Sequence, residues 1–152
     1  MKKIISALIF AGIAFSLGAQ DVYVADGRFT TQDNMTFKAP GFDDSSWQVL
    51  SLDKEWDAQG IKHNMAYAWY RMHATVPSSL KSGNTGMLLL DLGPVDDVDE
   101  TYFNGHFVGK TGSSDTDPEG YRGMWDKPRR YLVPAKYVNW DGENVIAVRV
   151  YN

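Results

Sequence analysis

"DDVDETYFNGHFVG", Asp96 to Gly109, joins two signals that seldom meet. Its second half reads as a β-hairpin. Asn104-Gly105 is a strong two-residue turn signal, because a type I′ turn needs positive φ at both central positions. Aromatic and β-branched residues flank the pair. A turn there sets Phe103 opposite His106, Tyr102 opposite Phe107 and Thr101 opposite Val108. The first half holds Asp96, Asp97, Asp99 and Glu100. Strands usually exclude Asp, so this acidic run at a strand entrance needs a reason. Along an extended chain Asp97, Asp99 and Thr101 point one way, and Val98, Glu100 and Tyr102 the other.

Outward from this hairpin the chain keeps the same grammar. Short β-like runs recur between Gly, Pro, Asn and Asp punctuation. Ser46–Leu52 reads as a strand. In Ala66–Pro77 one face carries Ala68, Tyr70, Met72, Ala74 and Val76. The other carries Tyr67, Trp69, Arg71, His73 and Thr75. That period of two predicts a strand with one face buried. Gly86–Gly93 is a near-continuous apolar run, which predicts a strand covered on both faces. "RRYLVP" and "NVIAVRVY" follow the hairpin as further strands. Single helical turns are expected at Asp43–Trp47, capped by Asp43 or Asp44, and after Pro134. Many short strands with frequent turns predict a two-sheet sandwich.

The chain has 152 residues, which suits one domain. Residues 1–19 have a basic start, an apolar centre and small residues before Gln20, the pattern of a secretory signal peptide. Cleavage after Ala19 leaves residues 20–152 as a secreted or periplasmic domain. The apolar run is short for a membrane span. There is no cysteine, so neither a disulfide nor a Cys–metal site exists. The net charge of −4 becomes −6 when Lys2 and Lys3 leave with the leader. An acidic domain without a basic cluster argues against nucleic acid and anionic membrane as partners. Aromatic residues make up 13% of the chain, including five Trp and eight Tyr. Sugar-ring stacking and ordinary sandwich packing both account for such a surplus.

No catalytic set stands out. There is no G-x-S-x-G elbow, and His63, His73 and His106 lack partners at metal-ligand spacing. Three readings of the acidic run remain open. Asp96, Asp97 and Asp99 accept backbone N–H bonds and fix a corner, or they hold Ca²⁺, or they grip sugar hydroxyls. Arg71, Arg130 and Arg149 sit in apolar strand patterns and need carboxylates, which the run supplies. Trp47 and Trp56 read as core, while Trp69 lies on the less apolar face of its strand and is a binding candidate. The stretch Thr111–Pro128 is long for a loop in a compact domain. Its Tyr121 and Trp125 have no packing periodicity to explain them. They are candidate stacking platforms, with Arg122, Asp115 and Asp117 for hydroxyl contacts.

The ordered series "FDDSSWQVLSLDKEWDAQG", "AYAWYRMHATVP", "LDLGPVDDVDETYFNGHFVGKTG", "RRYLVP" and "GENVIAVRVYN" resembles a known family. It is similar to the jelly-roll sugar-binding domain of glycoside hydrolase family 2 enzymes, and to galactose-binding-like domains attached to bacterial sialate O-acetylesterases. The likeness runs from Phe42 to Tyr151. It implies an all-β, antiparallel, two-sheet jelly roll without catalytic residues of its own. It also implies a carbohydrate ligand and a neighbouring catalytic hydrolase domain as partners. In that family the acidic segment looks like a fold signature shared across ligands, which favours the corner reading and pairing with Arg129, Arg130 or Arg149. Such domains usually continue past "VRVYN" into a Gly-rich turn and a closing strand, so a jelly roll lacking that strand is among the expectations. The expected role is a secreted, non-catalytic carbohydrate-binding or accessory module. The alternatives are an N-terminal piece of a glycosidase or carbohydrate esterase, and a structural interaction domain without ligand.

Overall fold

A computed structural model describes residues 10–11, 22–62, 66–81 and 86–152. The expected leader lies outside the described residues except for Phe10–Ala11, and His63 lies outside them too. The strands are β1 (Phe10–Ala11), β2 (Asp26–Thr30), β3 (Gln48–Ser51), β4 (Tyr67–Thr75) and β5 (Met87–Pro94). They continue with β6 (Val98–Phe103), β7 (His106–Thr111), β8 (Pro128–Pro134) and β9 (Glu143–Tyr151). Helical structure among the described residues is confined to single 3₁₀ turns, at Met35–Lys38, Asp57–Gln59, Ser78–Lys81 and Ala135–Tyr137.

One sheet has six strands in the order β3-β2-β4-β9-β6-β7, all antiparallel. The other is built by β5 and β8, with the two residues of β1 at the free edge of β5. The fold is therefore an antiparallel β-sandwich, as the strand pattern predicts. β4 shows why: Ala68, Tyr70, Met72, Ala74 and Val76 all lie in the main core, facing Leu88, Leu90 and Leu92 of β5 across the sandwich. The reading of β5 as covered on both faces is corrected. Leu88, Leu90 and Leu92 are buried, whereas Met87 is 40% exposed and Leu89 only partly covered. Among the described residues the outer face of this sheet is only partly covered, with Leu132 of β8 61% exposed, so its apolar run alternates after all.

The hairpin forms at the expected turn. Asn104 and Gly105 have φ of 47° and 82°, and Phe103 pairs with His106 and Tyr102 with Phe107. Thr101, however, pairs with Gly109 rather than Val108, because a β-bulge shifts the register between Tyr102 and Thr101. The bulge puts a glycine where β7 meets β8. A side chain at Gly109 would run into the Tyr131 ring, so the missing Cβ lets the two sheets close at this edge.

A second, smaller core lies on the outer face of the six-stranded sheet. Phe37, Trp69, Tyr102 and Ala147 are buried there, with Phe42 and Trp47 packed against them. Arg71, fully buried, holds the covering segment in place. Its guanidinium pairs with Asp44 at 2.7 Å and donates to the carbonyls of Phe37, Ala39, Pro40 and Phe42. Arg71 thus finds its carboxylate in the Asp43–Trp47 turn and not in the acidic run. Arg130 likewise pairs with Asp91 of β5. The acidic run does supply Glu100, which lies 3.5 Å from Arg149.

Asn104 ties the hairpin tip to β9. Its side chain donates to the Tyr137 carbonyl and to Asn144, and accepts from the Val145 amide, each at 2.8 Å. Asn104→Ala should destabilise the domain by about 1–3 kcal/mol, the penalty for stranding partly buried partners. Urea unfolding measures this; a loss below about 0.5 kcal/mol would mean that the tip is held by its turn alone.

Candidate functional site

The site grows from a buried arginine at the start of β8. Arg129 and Asp99 both have 0% side-chain exposure, and Arg129 Nε donates to Asp99 Oδ1 at 2.8 Å. Three of the remaining guanidinium protons go to main-chain carbonyls. Nη2 donates to Asp97 O at 2.9 Å, and Nη1 donates to Met124 O at 2.6 Å and to Lys127 O. Asp99 also accepts from Thr101 Oγ1 and from the Tyr131 hydroxyl, each at 2.8 Å. Burial pushes the Asp99 carboxyl upward, and the hydrogen bonds from Thr101, Arg129 and Tyr131 act against that. One charge pair thereby joins β6 and β8 to the end of the loop at residues 112–127.

The loop is held along its whole length. Ser113 and Arg122 exchange backbone hydrogen bonds of 3.1 and 2.8 Å. Gly112 makes this possible: its φ is 82°, and a Cβ there would sit 2.7 Å from Arg122 O. Met124 N donates to Asp97 O at 2.9 Å. Asp117 accepts from Lys110 at 2.6 Å, from the Ser114 amide at 2.6 Å and from the Ser114 hydroxyl at 2.9 Å. Lys110, followed by the Ser114 amide, holds the Asp117 carboxyl down to about 2. Asp117 is therefore a loop latch and is already engaged. Asp115 is exposed, and burial followed by the nearby Asp115 carboxylate pushes the Tyr151 phenol upward.

On this frame stand the loop's exposed rings. Tyr121 is 47% and Trp125 53% exposed. The Tyr121 hydroxyl donates to Asp97 Oδ2 at 2.7 Å, and burial and Asp97 push its phenol up to about 12. Its ring lies 6.1 Å from Tyr151, which lies 5.0 Å from Tyr67. Tyr67 donates to Ser114 at 2.7 Å and is covered by the Arg149 guanidinium at 3.5 Å. Tyr67, Tyr151 and Arg149 were not singled out from sequence as partners of the loop. The signal available was that all three occupy the polar faces of β4 and β9, with Tyr67 and Tyr151 at paired strand ends.

The structure brings Tyr121, Asp97, Asp115 and the two strand tyrosines together. Arg122 is exposed on the same loop. Trp69 lies apart. It is 0% exposed, stacked at 6.0 Å on Tyr102, with its indole N–H donating to Asp33 at 2.8 Å. It is a core residue of the outer face and offers no ring to a ligand. Asp96 and Asp97 are buried at the corner entering β6, where the Asp96–Asp97 peptide is cis. Among the described residues no three His, Asp or Glu side chains converge as a metal-binding group.

Comparison with known proteins places this architecture. No family model matches the chain. It is 30% identical over 141 residues to the β-galactosidase BoGH2A of Bacteroides ovatus, covering 84% of this chain and 15% of that enzyme. Among solved structures, the Bacteroides uniformis β-glucuronidase superposes with a TM-score of 0.64 at 23% identity, covering 85% of this chain and 14% of that one. A glycosyl hydrolase family 2 member from Bacteroides cellulosilyticus gives 0.59 at 20% identity, over 86% and 17%. The chain thus spans about one seventh of the length of these relatives, and what it matches in them is one β-sandwich domain of glycoside hydrolase family 2 enzymes.

The latch on the loop titrates. A carboxyl depressed from 3.8 to about 2 stabilises the fold fully above pH 4, and that contribution is lost as pH falls through about 2. The melting-temperature difference between wild type and Asp117→Asn should be greatest at pH 5 and vanish near pH 2. A difference independent of pH would show that the charge on Asp117 does not matter.

Proposed function

We propose that this chain is a non-catalytic, sugar-recognising β-sandwich domain working in glycan degradation outside the cytoplasm, with the loop at residues 112–127 as its contact surface. The observation that carries the reading is the pair Tyr121 and Trp125, half-exposed on a loop whose backbone is fixed by Arg129. Pyranose rings present apolar C–H faces, and a rigid aromatic ring meets such a face at little entropic cost. Asp115 and Arg122 stand on the same loop for hydroxyl contacts. The relatives' names support a glycan setting: a β-galactosidase in sequence, and a β-glucuronidase in structure. The basic start and apolar centre of residues 1–19, a pattern like that of a secretory leader, support export.

A second reading has its own support. The chain matches only 15% of the B. ovatus enzyme's length. Inside a longer hydrolase the same loop would border a catalytic domain, and its rings would help to close that domain's substrate cleft. Both readings place Trp125 and Tyr121 against sugar or against a neighbour that holds sugar.

Titration of the chain with galactosides, glucosides and sialosides to millimolar levels, followed by tryptophan fluorescence and NMR shifts, tests the first reading. Saturable shifts should weaken about tenfold in Trp125→Ala, in line with the loss of one stacking ring. Saturable binding that survives changes at both Trp125 and Tyr121 would move the site elsewhere, and no binding to any sugar would leave the domain-contact reading.

A further inference from the structure

A groove of about 550 Å³ runs between the Met35–Lys38 turn with its following residues and the tip of the β6–β7 hairpin. Its floor is apolar, formed by Met35, Ala39, Pro40 and Gly105. The walls are fixed. The hairpin tip is tied to β9 through Asn104, and a Cβ on Gly105 would lie 3.3 Å from Pro40, so tip and floor are in contact. The opposite wall is held from below by Arg71, which binds the carbonyls of Phe37, Ala39 and Pro40. A cleft of this size suits a small ligand or a sugar unit with part of its neighbour.

The charge of the groove runs against the charge of the protein. The chain carries 19 acidic residues and a net charge of −4, yet among the described residues no carboxylate lines this groove. Its ionisable side chains are Lys38 and His106. The Lys38 ammonium lies 5.2 Å over the Tyr102 ring and, among the described residues, forms no ion pair. His106 is exposed and stacks at 3.9 Å on Tyr137, whose ring also lies 5.3 Å from Lys136. The neutral polar groups are already engaged: Asn34 accepts from Thr36, and Asn104 is bound to Tyr137, Asn144 and Val145. What the groove still offers is an apolar floor beside unneutralised positive charge. Its complement has an apolar face and a carboxylate.

We propose that this groove binds an acidic saccharide, a uronic-acid unit whose C–H face rests on Met35 and Pro40 and whose carboxylate meets Lys38, with His106 flanking it. The assignment of saccharide rather than another anion rests on the glycan reading above. The site is separate from the 112–127 loop, because it lies at the hairpin tip, whereas that loop leaves the far end of β7. Lys38 makes a charge-assisted contact that neutral sugars cannot use. Binding therefore weakens with added salt.

The test is calorimetric and NMR titration of the chain with oligogalacturonate trimers, neutral galactose trimers and a glutamate-rich peptide. Lys38→Gln and Trp125→Ala serve as variants. The uronate trimer should bind about tenfold more tightly than the neutral one, and Lys38→Gln should remove that advantage without lowering the melting temperature. Trp125→Ala should leave it intact. Uronate binding that ignores Lys38→Gln, or stronger binding of the peptide, overturns the proposal. If neutral sugar binds through Trp125 while the groove stays silent, the loop reading stands and this one falls. If uronate binds through Lys38 and Trp125→Ala changes nothing for any sugar, this one stands and the loop reading falls. No binding of any saccharide removes both.

Discussion

Arg129 is stripped of water, and the architecture around it follows from that. A guanidinium with no exposure costs several kcal/mol in desolvation unless its charge is paired and its donors find acceptors. Asp99 neutralises it, and the carbonyls of Asp97, Met124 and Lys127 accept from three of its other four N–H groups. The three carbonyls belong to two separate pieces of chain, so the requirement of one side chain fixes the path of both. The entrance to β6 and the end of the long loop cannot move independently. Asp99 carries the constraint further, because its second set of partners, Thr101 and Tyr131, spans both sheets.

Arg71 repeats the device on the opposite side. It too is fully buried, meets one carboxylate and spends its other donors on main-chain carbonyls. The segment it organises covers the small outer core around Trp69. Both candidate surfaces therefore stand on irregular backbone that a buried arginine holds rigid. The 112–127 loop depends on Arg129 and the groove wall on Arg71. Precise surfaces on loops need such support from below. Arginine suits the task better than lysine, since its planar fork offers five donors in a fixed arrangement.

Much of this was legible in sequence, for physical reasons that can be named. The alternation of β4, the Asn104-Gly105 turn and the break at residues 112–127 depend on local chemistry, and all three match the structure. The acidic run was legible in kind: strands do not carry Asp without a partner, and Asp99 has one. What sequence did not carry is pairing over distance. Nothing local says that Arg71 reaches back 27 residues to Asp44, or that Asp33 and Arg149 meet across 116. Trp69 was misplaced for the same reason, since the covering segment that buries it lies some thirty residues away in the chain. The bulge at Tyr102 escaped because it is set by the fit of Gly109 against Tyr131 on the other sheet. The groove escaped because both its walls are single turns remote from each other in sequence.

The central claim is that the Arg129–Asp99 pair, more than the loop's own turns, fixes residues 112–127. Amide hydrogen exchange on Asp99→Asn, compared with wild type, addresses it directly. Asparagine keeps the shape but removes the charge that holds Arg129. The Met124 and Arg122 amides, bonded to Asp97 and Ser113, should lose protection by about tenfold or more, while the amides pairing β4 with β9 keep theirs. Equal protection at Met124 and Arg122 in both proteins would contradict the claim and leave the loop to its local hydrogen bonds.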